Sequence, residues 1–223
     1  MKTGAKTTLA EAYARHKAED LYGAEAGYLS VLKQNPFDAS ALQLLGTLKA
    51  QQGYYPLAIN YLRESLRLHP EDVHVQYNLG NAYAESGGID DAIECFQRVL
   101  ELDPGFDQAS LMLGRIFMSK REYSSAIEVL GATVSINRSN VEVMSLLARA
   151  MMFNDKTDDA MRVVQECLTI NPNMAAALAT YADLLKMQNS YPEAEAYYRR
   201  ACAIDSVDES VLWRWGDLLR EQG

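Results

Sequence analysis

The residue types that catalyse reactions or bind metals are few in this sequence and do not cluster. His16, His69 and His74 lie in different parts of the chain or at a predicted helix end, which is not the spacing of a metal site. The acidic stretch 154–159 lacks the alternating oxygen ligands, the glycine and the closing glutamate of a calcium loop. A glycine-rich phosphate loop is also missing from the sequence. We therefore predict no catalytic residues, no cofactor and no metal site here, while a catalytic domain beyond residue 223 stays open.

The cysteines indicate a reducing compartment. Cys95, Cys167 and Cys202 are odd in number and lie far apart, so they do not suggest a disulfide framework. We expect them to act as small buried hydrophobic side chains. The N-terminus has no apolar core like that of a signal peptide, and no run approaches the length of a membrane span. We expect a cytoplasmic protein.

The charge of the chain excludes some classes of partner. Lys and Arg number 21 and Asp and Glu 30 among 223 residues, so the formal net charge is −9. That sign is unfavourable for a surface that binds phosphates, so we predict neither nucleic acid as a partner nor direct membrane insertion. Hydrophobic residues make up 48% and charged residues 23%, which is typical of an ordinary folded protein.

Four polar residues that could contact a ligand recur at a fixed interval. Asn81, Arg115, Arg149 and Asp183 are each 34 residues apart. An asparagine in such a row can bind a backbone amide, and an arginine can bind a carboxylate. The same interval should appear in the elements that position these side chains, because a sequence repeat determines the whole fold.

Proline and polar residues repeat at this interval and predict helix boundaries. Pro36, Pro70 and Pro104 are 34 residues apart, and Pro172 continues the series beyond Arg138. The residue before each of these points is predicted to end a helix in the left-handed conformation; these residues are Asn35, His69, Asp103, Asn137, Asn171 and Asp205. The residues two places after the series are predicted N-caps of the next helix; they are Asp38, Asp72, Asn140 and Asp208, with Asp107 one place late.

Small residues occupy two further places of the period. Alanine stands at one of them in all six complete repeats, as Ala24, Ala58, Ala92, Ala126, Ala160 and Ala194. The other place is always glycine or alanine, as at Gly46, Gly80 and Gly114, although glycine costs about 1 kcal/mol inside a helix. Two helices must therefore cross so closely that no larger side chain fits. Large apolar residues at spacings of three and four complete a stripe on each helix.

These patterns predict an all-α solenoid of helix-turn-helix repeats, with about 13 helices in a single domain over residues 1–223. Stacked repeats bury jointly the apolar stripes that one hairpin cannot bury alone. The predicted repeats are 5–38, 39–72, 73–106, 107–140, 141–174 and 175–208, with a partial seventh at 209–223.

The segment YNLGNAYAESGGIDDAIECFQRVLELDP (77–104) resembles the tetratricopeptide repeat, and the resemblance covers nearly the whole chain. It implies a right-handed superhelix in which the first helices of the repeats line a concave groove that binds peptide segments. Repeats 107–140 and 141–174 depart most from the pattern, because Arg138 replaces the proline and Ala148 the glycine.

The resemblance also implies which side chains line the groove, namely those of the first helices that point away from the packing stripe. The predicted groove residues are Tyr77, Asn78, Asn81, Met112, Arg115, Met118, Arg149, Met152, Phe153, Asp183 and Lys186. Methionines would give an adaptable apolar floor. In the alternative interpretation, Arg149 pairs with Asp183 and the methionines only fill packing gaps.

The predicted function is a non-catalytic scaffold that binds a protein or peptide segment, with an acidic or carbonyl-rich extended segment favoured by the two groove arginines. The alternative is the N-terminal, substrate-recruiting region of a larger enzyme such as a glycosyltransferase, sulfotransferase or methyltransferase. The apolar last helix, 209–222, with Leu212, Trp215, Gly216 and Leu219 at places that face a partner helix, suggests either a piece of a longer chain or self-association.

Overall fold

The computed structural model describes residues 8–204 and 209–222, and within them the chain forms thirteen α-helices. The chain divides into two compact units, Met1–Asp103 and Pro104–Gly223. The helices of the N-terminal unit are α1 (Leu9–Lys17), α2 (Leu21–Gln34), α3 (Ala39–Gln51), α4 (Tyr55–Leu68), α5 (Val73–Ser86) and α6 (Ile89–Leu102). Those of the C-terminal unit are α7 (Asp107–Ser119), α8 (Tyr123–Ile136), α9 (Val141–Phe153), α10 (Thr157–Ile170), α11 (Ala175–Met187), α12 (Tyr191–Cys202) and α13 (Glu209–Gln222).

Helix contacts repeat in the same way inside each unit. In the N-terminal unit every helix packs on the next one, and α3 also contacts α1 and α5. In the C-terminal unit the successive helices again pack in order, α9 also contacts α7 and α11, and α11 contacts α13. First helices of hairpins thus pack on first helices of neighbouring hairpins. The prediction of an all-α helical repeat fold is confirmed for the described residues.

The close helix crossing predicted from the small residues is present in each hairpin where glycine occupies the place. A Cβ atom on Gly46 would lie 2.8 Å from Cγ of Leu62, and one on Gly114 would lie 2.9 Å from Cδ2 of Leu130. On Gly80 it would lie 2.7 Å from the ring of Phe96. The alanines of the other small place are all fully buried. Backbone therefore approaches the facing side chain directly, which larger residues would prevent.

Polar side chains begin three of the helices as predicted. Asp38 and Asp72 accept hydrogen bonds from the backbone N–H groups of residues 41 and 75, and Asn140 accepts from those of residues 142 and 143. The prediction for Asp107 is wrong, because it is the first residue of α7 and its side chain caps nothing. Its Oδ2 instead accepts from the side-chain amides of Asn137, at 3.0 Å, and Asn140, at 2.6 Å. Asp205 and the predicted cap Asp208 lie outside the described residues.

The helix ends differ from the prediction. The residues that precede the proline places have extended rather than left-handed backbone, with φ between −138 and −126°. The proline ring excludes helical conformations from the residue before it, which accounts for the extended backbone in four of the five cases. The asparagines Asn35, Asn137 and Asn171 instead accept a hydrogen bond from the N–H two residues on, which fixes the inter-repeat turn.

The left-handed residues lie in the turn inside each hairpin. They recur every 34 residues, at Glu19, Gly53, Gly87, Arg121, Asp155 and Asn189. Glycine adopts this conformation without strain, whereas a residue with a Cβ atom does so at a cost. The repeat therefore demands one left-handed residue per hairpin, and four of these six are not glycine.

Candidate functional site

A groove of about 760 Å³ lies in the C-terminal unit, where α7, α9 and the start of α11 come together. We call it the α7–α9 groove. Its apolar lining consists of Leu111, Met118, Tyr123, Leu146, Phe153 and Met174. These side chains come from first helices of three successive hairpins and from the start of α8, so the stacking of the repeats creates the groove.

Three exposed arginines stand on this apolar surface, Arg115, Arg121 and Arg149, and we call them the groove arginines. Arg115 lies on α7 and Arg149 on α9, at the same place of the repeat. Arg121 lies in the turn after α7, in left-handed backbone with φ 60°. The acid that lines the groove is the exposed Glu142. The groove is therefore locally cationic in a chain of net charge −9.

An aromatic pair closes one end of the groove. The rings of Tyr123 and Phe153 stack with centroids 5.4 Å apart and an interplanar angle of 19°. Phe153 is 47% exposed, so part of its ring remains available for contact. Phe153 also lies four residues after Arg149 on α9, which places the two side chains on one helix face. Cationic and aromatic groups thus stand next to each other.

Four of the predicted groove residues line the α7–α9 groove: Arg115, Met118, Arg149 and Phe153. Met112 is half-buried on α7 and is not part of this lining. The prediction for Met152 is wrong, because it is only 6% exposed and packs in the core with residues of α10 and α11. Its long flexible side chain fills a gap between hairpins, as the alternative interpretation proposed for the methionines.

The last two predicted groove residues are engaged with α13. Asp183 forms a salt bridge with Arg214 and accepts a hydrogen bond from the hydroxyl of Tyr198. Lys186 forms a salt bridge of 2.7 Å with Glu221. Burial raises the pKa of Asp183, and the charge of Arg214 opposes that shift. The proposed pairing of Asp183 with Arg149 is thus replaced by a pairing with Arg214.

The remaining predicted residues lie on α5 in the N-terminal unit. The side-chain amide of Asn78 donates a hydrogen bond of 3.3 Å to Oγ1 of Thr47 on α3. The ring of Tyr77 packs against that of Phe96 at 5.7 Å between centroids. Asn81 is half-buried on the same helix. Two of the three residues therefore contact neighbouring helices of their own unit, and their role in binding stays a prediction.

Sequence reasoning missed three residues of the groove. Arg121 and Tyr123 belong to the turn between α7 and α8, and Met174 precedes α11. The search was restricted to the first helices, so side chains from turns were left out. A usable signal existed for Arg121, because it stands at the place where Gly53 and Gly87 occur in other repeats.

The described residues offer little covalent or metal chemistry. Residues 8–204 and 209–222 hold no group of three or more His, Cys, Asp or Glu side chains that could bind a metal ion. Burial, with the carboxylates of Asp91 and Glu94, raises the pKa of Cys95 to about 12, and burial raises that of Cys167 to about 11. These thiols are therefore protonated at neutral pH and poor nucleophiles. No described helix has the length and apolar character needed to cross a membrane.

Solved structures with similar folds support this architecture. A structure of the protein MamA is 25% identical in sequence, covers 72% of this chain and 94% of its own, and has a TM-score of 0.67. A tetratricopeptide repeat protein from Parabacteroides merdae ATCC 43184 is 19% identical over 96% of this chain and 85% of its own, with a TM-score of 0.77. YrrB, described as a TPR protein with an unusual peptide-binding site, is 17% identical over 86% of this chain and 98% of its own, with a TM-score of 0.69. Comparison with the curated proteins gives no match.

The family model described as tetratricopeptide repeat matches residues 44–87, 77–139 and 146–209. These segments contain the repeated helix hairpins, the close glycine crossings and the α7–α9 groove. Because the matches cover more than half of the sequence, the chain belongs to the tetratricopeptide repeat family.

Proposed function

We propose that the protein is a non-catalytic interaction module and that the α7–α9 groove binds an extended segment of a partner protein. The observation that carries the proposal is the pair Arg115 and Arg149, which stand at one repeat place on adjacent first helices above an apolar floor. Neighbouring packed helices are about 8–10 Å apart, so both guanidinium groups can reach one extended segment. Arginine binds carboxylates in a planar, bidentate way and so gives orientation as well as attraction.

Two further observations support a peptide as the ligand. The groove is open and combines apolar and charged side chains, which suits a chain segment with a polar backbone. The structural neighbour YrrB is described as having a peptide-binding site. By analogy with that fold we place the binding surface of this protein on its first helices, and we place its action in the cytoplasm.

The experiment is a binding screen against an array of synthetic ten-residue peptides, with the wild-type protein and an R115A/R149A variant. Loss of both cations should weaken binding about tenfold, since each charged contact at an exposed site contributes up to about 1 kcal/mol. The matched control is R67A/R98A, which removes two arginines that pair with acids on their own helices. Equal affinity of wild type and R115A/R149A would refute the groove as the binding surface.

The face of α13 suggests self-association as a second function. Leu212 and Trp213 are exposed, at 50% and 72%, and a Cβ atom on Gly216 would have no atom within 4 Å. In other hairpins the same glycine place contacts a large side chain of a second helix, so this face has the shape of a helix-binding surface. Trp215, in contrast, is half-buried against α11 and α12. Sedimentation velocity at several concentrations tests the proposal, and a W213S variant that sediments like wild type at all of them would contradict it.

A further inference from the structure

The groove arginines differ from other arginines of the chain in their surroundings. Arg67, Arg98 and Arg162, on second helices, each form a salt bridge with an acid three residues away. The groove arginines form neither a salt bridge nor a hydrogen bond with any residue in the parts of the chain that the structure describes. Their charge is therefore available to a ligand, and the ligand that satisfies it carries carboxylates or other anionic groups.

The groove also has an apolar row beside the cationic one. Met118 follows Arg115 by three residues on α7, and Phe153 follows Arg149 by four on α9, so each apolar side chain lies one helical turn beyond an arginine. Tyr123 stacks on Phe153 and extends this row. The groove therefore presents two parallel rows that differ in chemistry and run across α7 and α9.

An extended peptide that runs across the two helices matches this arrangement. Its side chains alternate in direction, so residues i and i+2 point towards one row and residue i+1 points towards the other. Residues i and i+2 are about 6.6 Å apart, close enough to the spacing of adjacent helices for two long arginine side chains to reach them. Acidic residues at i and i+2 would meet Arg115 and Arg149, and an apolar residue at i+1 would meet Phe153.

Building on the proposed function of the α7–α9 groove, we propose that it selects extended segments of other proteins in which two acidic residues flank one large apolar residue. Arg121 adds a third cation beside the aromatic end of the groove and extends the preference to a further acid next to the motif. Charge supplies orientation and association rate, while the apolar residue supplies contact with Phe153 and Tyr123.

The test uses four fluorescent ten-residue peptides with serine and glycine at all other positions. The first carries aspartate, phenylalanine and aspartate in succession; the second has lysines in place of the aspartates; the third has alanine in place of the phenylalanine; and the fourth separates the three residues by glycines. Affinities are measured by fluorescence anisotropy at 50 and 500 mM NaCl. We expect the first peptide to bind at least about tenfold tighter than the second and to weaken at high salt.

Variants assign each preference to its row. R115A/R149A should remove the preference for aspartate over lysine, and F153A should remove the preference for phenylalanine over alanine. The matched controls are R67A/R98A and F37A, which remove arginines and an exposed aromatic ring outside the groove. Circular dichroism confirms that each variant keeps its helix content.

The outcomes separate this inference from the function on which it rests. If peptides bind in the groove but all four have similar affinities, the selectivity is refuted and the proposed function stands. If no peptide of the screen or the series binds, both are refuted. If R115A/R149A changes the sedimentation coefficient and not peptide affinity, the groove binds a second copy of the chain and the inference is overturned.

Discussion

The close crossing of α7 and α8 can be tested with two glycines of one hairpin. Gly114, on α7, faces Leu130, and an added Cβ atom would lie 2.9–3.0 Å from Cδ2, Cδ1 and Cγ of that side chain. Gly131 is the next residue on α8, where an added Cβ atom has no neighbour within 4 Å. G114A and G131A therefore add the same methyl group to the same hairpin, once into a packed contact and once into open space.

The expected magnitudes follow from two terms. Replacing glycine by alanine inside a helix stabilises the fold by about 1 kcal/mol at either position. At Gly114 the added methyl group also overpacks the core, because Leu130 is fully buried and even its Cγ atom would have to move. Overpacking of this kind costs about 1–3 kcal/mol. We expect G131A to gain about 1 kcal/mol of unfolding free energy and G114A to lose up to about 2 kcal/mol.

The assay is urea and thermal unfolding followed by circular dichroism, and the decisive quantity is the difference between the two variants. A difference of about 1–3 kcal/mol corresponds to melting temperatures several degrees apart for a chain of this size. A third variant pair checks the cause: in an L130A background, G114A should become stabilising because the atoms it would meet are gone. If G114A stabilises the wild-type protein as much as G131A does, the close-crossing argument is refuted.

Three further perturbations have defined outcomes. R121G should raise the melting temperature by about 2–4 °C, because glycine relieves about 1 kcal/mol of left-handed strain, and an unchanged melting temperature would contradict the strain. A thiol reagent at pH 8 should modify the half-buried Cys202 before the buried Cys167, whose pKa is raised to about 11; a C202S variant that keeps the fast phase would disprove this order. Burial raises the pKa of Asp183 above 3.8, so its contribution to stability is fully present below pH 3.8 and is lost as the pH rises through the folded pKa. Melting temperatures of D183N from pH 3 to 7 should lack this decline, and a decline equal to that of wild type would rule the assignment out.

The helical repeat was readable in the sequence because packing constraints recur with it. Glycine and alanine at fixed places, together with apolar residues at helical spacing, determine where two helices can touch, and the structure has those contacts. The turn conformations were less readable. Asn35 and Asn171 favour left-handed backbone when considered alone, but each precedes a proline, and the steric effect of the proline prevails.

The site was predictable only in part, because repeat position determines direction but not neighbours. Met118 and Met152 stand at the same repeat place, yet the first lines the groove and the second packs in the core between α10 and α11. Flexible side chains take whichever space the local packing leaves, and that depends on contacts between hairpins. Turn residues such as Tyr123 were missed because the relevant contact, its stacking on Phe153, joins different repeats.

The charges along the polar row explain why binding should concentrate on α7 and α9. At one end of the row Asp183 has Arg214 of α13 as an oppositely charged neighbour, and the two neutralise each other. Arg115 and Arg149 are adjacent in the row and carry the same sign, so they repel each other and no exchange of rotamers can pair them. An anionic segment placed between them removes this repulsion and adds two attractions at once. Replacing Arg149 with aspartate would instead let the two residues pair, and the affinity for acidic peptides should then fall below that of R115A/R149A, because one anion would already occupy the site.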